Sequence, residues 1–115
     1  MSEEPIRKAS SLATIQAICE KPDAVKILRA YDKIGEPAKV SQIEEISGVS
    51  YQKTIDFSYR LSDMKVLELL RNPFETRVIR FGILDQEFVK RVFDYDDKQR
   101  VRRRTGLGAE GVTEV

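Results

Sequence analysis

The 115-residue chain contains no histidine, and its six glycines form neither a P-loop nor a dinucleotide-binding fingerprint. Without histidine it lacks the commonest general base and the commonest zinc ligand, and hydrolytic triads of the Ser-His or Cys-His type cannot be assembled. We therefore expect a protein that is not an enzyme, with no catalytic residues, no bound metal and no cofactor.

The chain also has little sulfur and no long apolar run. Its one cysteine, Cys19, excludes an intramolecular disulfide and favours a reducing compartment. Its position on an apolar stripe favours a buried small residue over a redox-sensing thiol. No apolar run approaches the roughly 18 residues that span a bilayer, and the N-terminus MSEEPIRKASS lacks a hydrophobic secretion core. We expect a cytoplasmic protein without membrane contact.

Neither sign of charge is in excess, since the net charge is only +1 although 34% of the residues are charged. The overall balance is not that of a strongly basic nucleic-acid binder, so any basic footprint must be local. The length and the 41% hydrophobic content suit one folded domain with a modest core and tails.

Two helical patterns meet at a single glycine in the middle of the chain. The first carries Val40, Ile43 and Ile46 on one face and ends at about Ser47, where Gly48 supplies a residue that tolerates positive φ. Directly after it, Val49 and Ser50 read as an apolar plug in a short turn and as the N-cap of the second helix. The sequence thus predicts a helix-turn-helix.

The second helix, predicted from about Tyr51 to Met64, has one narrow polar face. An arc about 100° wide holds Gln52, Lys53, Asp56, Arg60 and Asp63. The remaining positions are predicted to pack against the protein: Tyr51, Thr54, Ile55, Phe57, Ser58, Leu61 and Met64. A helix held on three sides, with one polar side free, suits a recognition helix in a major groove.

From Ala24 to about Leu84, the sequence resembles a winged helix-turn-helix domain of the MarR-like and ArsR-like regulators, a type abundant in archaea and bacteria. The segment ILRAYDKIGEPAKVSQIEEISGVS resembles the supporting helix and the turn, and LSDMKVL resembles the L-x-x-x-G-L-V motif that leads into the wing. Two positions depart from the pattern: Ser47 replaces a usual leucine, and Lys65 replaces a usual glycine. The resemblance implies a mainly α fold with a β-hairpin wing.

Further elements surround this motif. Apolar spacing predicts a first helix from Ile6 to Cys19, whose apolar face holds Leu12, Ile15, Ile18 and Cys19. It predicts a second helix that is capped by Asp23 and stopped by Gly35. Strands over residues 66–70 and 76–84, joined at Asn72-Pro73, form the wing. Asp85 is the predicted cap of a last helix over residues 85–104, whose apolar face holds Phe88, Val89, Val92 and Phe93.

The resulting domain assignment is a flexible N-terminus at residues 1–5, a winged-helix domain with extra flanking helices at 6–97, and a flexible tail at 98–115. The tail begins with five basic residues between Lys98 and Arg104, which either track phosphates or solubilise a helix end, and then becomes glycine-rich. Asp94, Asp96 and Asp97 are predicted to form a solvated helix surface rather than a Mg²⁺ site.

The leading functional hypothesis is a homodimeric transcriptional regulator that binds double-stranded DNA. Terminal helices of this kind often pair across a two-fold axis in the resembled families, so we expect dimerisation through the first and last helices; the alternative is that the last helix packs only on its own domain. The residues predicted to contact DNA are Ser50, Tyr51, Gln52, Lys53, Asp56, Arg60, Arg71, Arg77 and Arg80.

Within that set, Gln52, Lys53, Asp56 and Arg60 are expected to face base edges, while the helix start and the wing arginines hold the backbone or the minor groove. The alternative for the wing is a hairpin that only covers the core. Because Asp56 and Asp63 offset the basic residues of the recognition face, the alternative function is a winged-helix module that binds another protein in a transcription, replication or degradation complex. Tyr51 and Tyr59, which flank the mixed-charge strip, suit such an interface.

Overall fold

Five helices and three strands make up the part of the chain that the structure, a computed structural model, describes. That part is residues 12–105, except the side chains of residues 76, 77 and 103–105. The elements in chain order are α1 (Leu12–Cys19), α2 (Pro22–Ile34), β1 (Ala38–Lys39), α3 (Val40–Ser47), α4 (Tyr51–Asp63), β2 (Leu67–Asn72), β3 (Glu75–Ile83) and α5 (Gln86–Thr105). The predicted helix start at Ile6, the segment 1–5 and residues 106–115 lie outside this part.

Helix α2 begins two residues earlier than predicted. Pro22 occupies its first turn and Lys21 is the N-cap residue, without a side-chain capping bond, so the predicted cap at Asp23 is wrong. Asp23 lies inside the first turn instead, where its negative charge interacts favourably with the positive end of the helix dipole. The helix ends as predicted at Gly35, whose φ is +78°.

The wing belongs to a three-stranded antiparallel sheet in the order β1-β3-β2. Strand β3 pairs with β2 over most of its length, from Leu67 opposite Ile83 to Asn72 opposite Glu75. The two-residue strand β1 pairs Ala38 with Phe81. The hairpin was predicted, but β1 was not, because two residues carry no readable alternation.

The core lies between α2, the sheet and the first half of α5. Its most completely buried side chains include Tyr31, Phe81, Phe88, Ile27, Leu28 and Ile43. Cys19 is buried, as predicted, and its thiol donates to the Val92 carbonyl at 3.5 Å. Leu12 and Ile46, which the apolar spacing placed on buried faces, are exposed instead.

Helix α5 is 20 residues long and continues through the basic segment to Thr105, so the helix has no boundary at residue 97. The Asp85 carboxylate accepts from the Phe88 backbone N–H at 3.0 Å, which confirms the predicted cap. Helix α1 packs against α5 and α2 within the same chain. Between residues 12 and 105, no helix combines the length and apolar character needed to cross a membrane.

The burial of the Tyr31 hydroxyl makes stability depend on alkaline pH. The Tyr31 hydroxyl shares a 2.8 Å hydrogen bond with the Ser58 hydroxyl, and burial raises the pKa of Tyr31 to about 12. Between pH 10 and 12 the unfolded chain loses this proton while the folded chain keeps it, so stability falls as pH rises. The loss attributable to Tyr31 is expected to reach roughly 2–3 kcal/mol.

Urea unfolding at pH 8, 10 and 11.5 tests this, with Tyr31→Phe as the comparison. The variant is expected to start less stable at pH 8, because it leaves the Ser58 hydroxyl without its partner, and to lose less stability on going to high pH. Equal alkaline losses in both proteins would contradict the assignment.

Candidate nucleic-acid interface

The turn between α3 and α4 is held by short-range contacts. Gly48 ends α3 with φ +76°. A Cβ there would meet no atom within 4 Å, so glycine is favoured at this position by its backbone conformation and not by a lack of space. The Ser47 hydroxyl accepts from the Val49 N–H at 3.1 Å. Serine at this position, a departure from the resembled pattern, therefore contributes a bond that leucine cannot. Val49 is buried beneath the turn, as predicted.

The start of α4 is fixed in turn by two hydroxyl side chains. Ser50 is its N-cap and accepts from the Lys53 N–H at 3.4 Å, as predicted. The buried Thr54 hydroxyl contacts the Ser50 carbonyl at 2.8 Å and the Val49 carbonyl at 3.2 Å. Because these bonds tie the helix to the turn, α4 is presented at a set angle to α3.

Beyond the end of α4, Lys65 has φ +67°, and among the described residues it alone adopts positive φ without being glycine. This is the position where the resembled motif has glycine. The backbone thus follows the winged-helix pattern even though the side chain departs from it, at a cost of roughly 1–2 kcal/mol.

Helix α4 packs against the protein largely as predicted. Thr54, Ser58 and Leu61 are buried, and Ile55, Phe57 and Met64 are partly buried against the core, whereas Tyr51, which was also predicted to pack, is exposed. Tyr51 and Tyr59 are 48% and 38% exposed, although the Tyr59 ring still contacts the Phe81 ring edge-on at 5.3 Å between centroids. The polar stripe is therefore flanked by tyrosines.

The predicted base-facing side chains lie along α4, exposed to solvent. The Gln52 amide donates to the Asp56 carboxylate at 3.3 Å, one turn along the helix. The Arg60 guanidinium lies 5.9 Å from the centre of the Phe57 ring. All four polar side chains thus share one surface, and Gln52 and Arg60 each have a neighbour that restricts their orientation.

Lys53 has a partner from outside the helix. Its ammonium lies 3.5 Å from the Asp23 carboxylate, which belongs to the first turn of α2. The two residues are 30 positions apart in the sequence, so this ion pair could not be predicted from the local helical pattern.

A groove of about 420 Å³ runs between the α1–α2 loop and α4, next to this ion pair. Its charged lining is balanced, with three acidic and three basic side chains: Glu20, Asp23, Asp56, Lys21, Lys53 and Arg60. The near-neutral character predicted for the recognition face therefore extends onto the neighbouring loop.

The wing carries two predicted arginines whose side chains are described. Arg71 is exposed on β2, and Arg80 on β3 lies 3.7 Å from the Glu75 carboxylate. The Arg77 side chain lies outside the described residues. At the tip between the strands, Phe74 is 92% exposed.

A second, smaller groove of about 150 Å³ separates the wing from the start of α4. Tyr51 and Ile79 lie on its two sides, and Lys39 and Ser41 line it from the start of α3. Neither Lys39 nor Ser41 was singled out in the sequence, where both look like ordinary polar positions at a helix start. The fold brings them beside Tyr51.

The carboxylates of α5 form ion pairs rather than a fully solvated surface. Asp96 is buried and lies 3.2 Å from Arg29 and 3.0 Å from Arg100, while Asp97 lies 3.0 Å from Arg29. The Arg29 guanidinium also stacks 4.5 Å from the centre of the Phe93 ring. The prediction of solvation is thus wrong for Asp96. Across residues 12–105, no three acidic or cysteine side chains gather as a metal site.

No protein-family description and no curated protein matches the chain by sequence. Solved structures do match its fold. BpsR from Bordetella bronchiseptica, whose DNA binding is regulated by 6-hydroxynicotinic acid, superposes with a TM-score of 0.62 at 13% identity, over 76% of this chain and 66% of BpsR.

Two further structures agree. YusO from Bacillus subtilis gives a TM-score of 0.59 at 23% identity, over 79% of this chain and 71% of YusO. A mutant of MarR from E. coli, complexed with operator DNA, gives 0.58 at 11% identity, over 87% of this chain and 74% of MarR. The chain thus spans about two thirds to three quarters of each structure. It has the winged-helix fold of MarR-type regulators, with extra helices at both ends.

Proposed function

We propose that this winged-helix chain is a transcriptional regulator that binds double-stranded DNA as a homodimer, with α4 in the major groove. The observation that carries the proposal is the row of exposed polar side chains along α4, next to an arginine-bearing wing. MarR has the same fold and has been seen with operator DNA. A helix of this kind fits the major groove, and the wing then lies along the neighbouring backbone.

Base recognition is assigned to four side chains of α4. The Gln52 amide has a donor and an acceptor that match those of adenine in the major groove. The Arg60 guanidinium has two parallel donors that match the two acceptors of guanine. Asp56 accepts from a cytosine amine, and it orients Gln52 through their 3.3 Å hydrogen bond. Lys53 lies at the edge of this row and is directed to a phosphate or a base oxygen.

Backbone contacts are assigned to the start of α4 and to the wing. Ser50 and Tyr51 lie at the N-terminal end of α4, where free amides and the helix dipole attract a phosphate. Arg71 and Arg80, together with Arg77, supply charge along the wing. These contacts carry affinity and its salt dependence rather than sequence preference.

Dimerisation is assigned to α1 and α5. Helix α5 extends about 30 Å, and its buried apolar residues lie in its first half. Leu12 on α1 and Val101 on α5 are exposed apolar side chains on the two helices. A second copy would cover such surfaces and would place two α4 helices on half-sites about one helical turn apart.

A titration of labelled random duplex, followed by fluorescence anisotropy at about 50 and about 200 mM salt, tests DNA binding; light-scattering mass tests the dimer. The proposal expects a dimer whose affinity falls steeply with salt. A monomer without affinity for duplex at about 50 mM salt would overturn it.

Removing the Asp23 carboxylate should strengthen non-specific binding. Asp23→Asn leaves the Lys53 ammonium without the acid 3.5 Å away and removes one charge that repels phosphate. We expect about threefold tighter binding to random duplex at about 50 mM salt, consistent with the modest strength of exposed pairs. Asp94→Asn, an equal charge change on α5, is the matched control and should change affinity less. Equal effects in the two variants would contradict a specific role for Asp23.

A protein-binding module is the second candidate function. It is favoured by the charge-balanced groove beside α4 and by the exposed Tyr51 and Tyr59, since tyrosines are enriched at protein interfaces. The same titration distinguishes the two candidates, because a module of this kind would not show the salt-dependent duplex affinity of a phosphate binder.

A further inference from the structure

We propose that Phe74, at the tip of the wing, is a wedge that enters the minor groove of bound duplex and bends it at the point of contact. The inference rests on the proposed DNA-binding function and adds a residue and a deformation to it. Its starting point is that the Phe74 side chain is 92% exposed, more than any other large hydrophobic residue described. An aromatic ring in that position contributes nothing to the core.

The tip holds Phe74 in a defined position. Asn72 pairs with Glu75 across the hairpin, so Pro73 and Phe74 form a two-residue loop. The Asn72 side-chain oxygen accepts from the Phe74 backbone N–H at 2.8 Å. The ring of Pro73 fixes the φ of that residue, which directly precedes Phe74. The phenyl ring is thus carried on a constrained turn, which lowers the entropy lost when it inserts.

Charge around the tip suits an approach to DNA. The carboxylate of Glu75, the residue after Phe74, is 3.7 Å from the Arg80 guanidinium, which offsets its repulsion of phosphates. Arg71, two residues before the Pro73–Phe74 loop, is exposed. An exposed ring at the end of a hairpin that also carries arginines is suited to the minor groove.

Insertion of an apolar side chain between base steps unstacks them and kinks the duplex. Pyrimidine–purine steps such as TA and CA/TG unstack most readily, so Phe74 would favour sites that place such a step under the wing. The wing would then select sequence through DNA deformability, without hydrogen bonds to bases.

The absence of tryptophan from the chain allows a direct test, because Phe74→Trp introduces a single fluorescent indole. Stacking against bases should quench its emission when duplex is added. The matched control is Leu84→Trp, an exposed position just beyond β3, at the end of that strand opposite the tip. Its emission should change little. Equal responses of the two indoles would overturn the inference.

Binding and bending of the wild-type, Phe74→Ala and Phe74→Leu proteins complete the test, with duplexes labelled at both ends to report bending by energy transfer. Phe74→Ala should bind about tenfold more weakly and lose the bend, with the salt slope unchanged because no charge is removed. Phe74→Leu, which retains an apolar wedge, should recover most of both.

Failure of the inference and failure of the proposed function give different results. If the wild-type protein binds duplex with a steep salt dependence while Phe74→Ala matches it in affinity and bend, only the wedge is overturned. If the wild-type protein has no affinity for duplex, both are overturned.

Discussion

Replacing Phe81 by alanine is expected to lower the free energy of unfolding by about 3–5 kcal/mol, the largest effect that we predict for a single substitution. Phe81 is 0% exposed and lies on β3, the central strand of the sheet, opposite Ala38 and Leu69. Its ring meets those of Tyr31 on α2 and Tyr59 on α4, at 6.4 and 5.3 Å between centroids. The substitution therefore removes ring contacts that join α2, α4 and the sheet.

Urea denaturation measures this loss, and Phe74→Ala provides a control with the same chemical change. Because the Phe74 ring is almost fully exposed, its removal should alter stability by less than about 0.5 kcal/mol. A difference of under about 1 kcal/mol between the two variants would contradict the packing described for Phe81.

Arg60→Ala is expected to weaken binding to a selected DNA site by about 10- to 100-fold and to relax the preference at one base pair. Arg60 is exposed on the polar stripe of α4, where the Phe57 ring limits the directions available to its guanidinium. Random duplex should be bound nearly as well as before, apart from the loss of one charge. Anisotropy with the selected site, single-base variants of it and random duplex measures these quantities.

Arg71→Ala is the matched comparison, since it removes the same side chain from the wing. It should weaken binding to all sequences alike and make the salt slope shallower by about one unit. If Arg60→Ala and Arg71→Ala had indistinguishable effects on specific and random duplex, base recognition by α4 would be contradicted.

The elements that the sequence predicted well are those determined by neighbouring residues. Gly48 tolerates the positive φ at a helix end, and Ser50 caps a helix through its own side chain, so the helix-turn-helix followed from local chemistry. The turn at Asn72-Pro73 and the cap at Asp85 were predictable for the same reason. At Lys65 the residue type itself gave no such signal, but the resemblance to the winged-helix motif did, and the backbone there has the positive φ that glycine usually supplies.

What the sequence did not predict depends on contacts between distant parts of the chain. Asp96 is buried because Arg29, 67 residues earlier, reaches it across the α2–α5 contact. Lys53 pairs with Asp23 for a similar reason. Local patterns therefore identified the candidate surface without its ion pairs.

Methylation interference on a duplex selected from a random pool would test the central claim, that α4 occupies the major groove, most directly. Methyl groups on guanine N7 project into that groove, so methylation at the selected site should block binding in two patches whose centres lie about one helical turn, roughly 10 base pairs, apart. Binding that is equally strong on methylated and unmethylated duplex, or a pool from which no sequence is enriched, would contradict the claim.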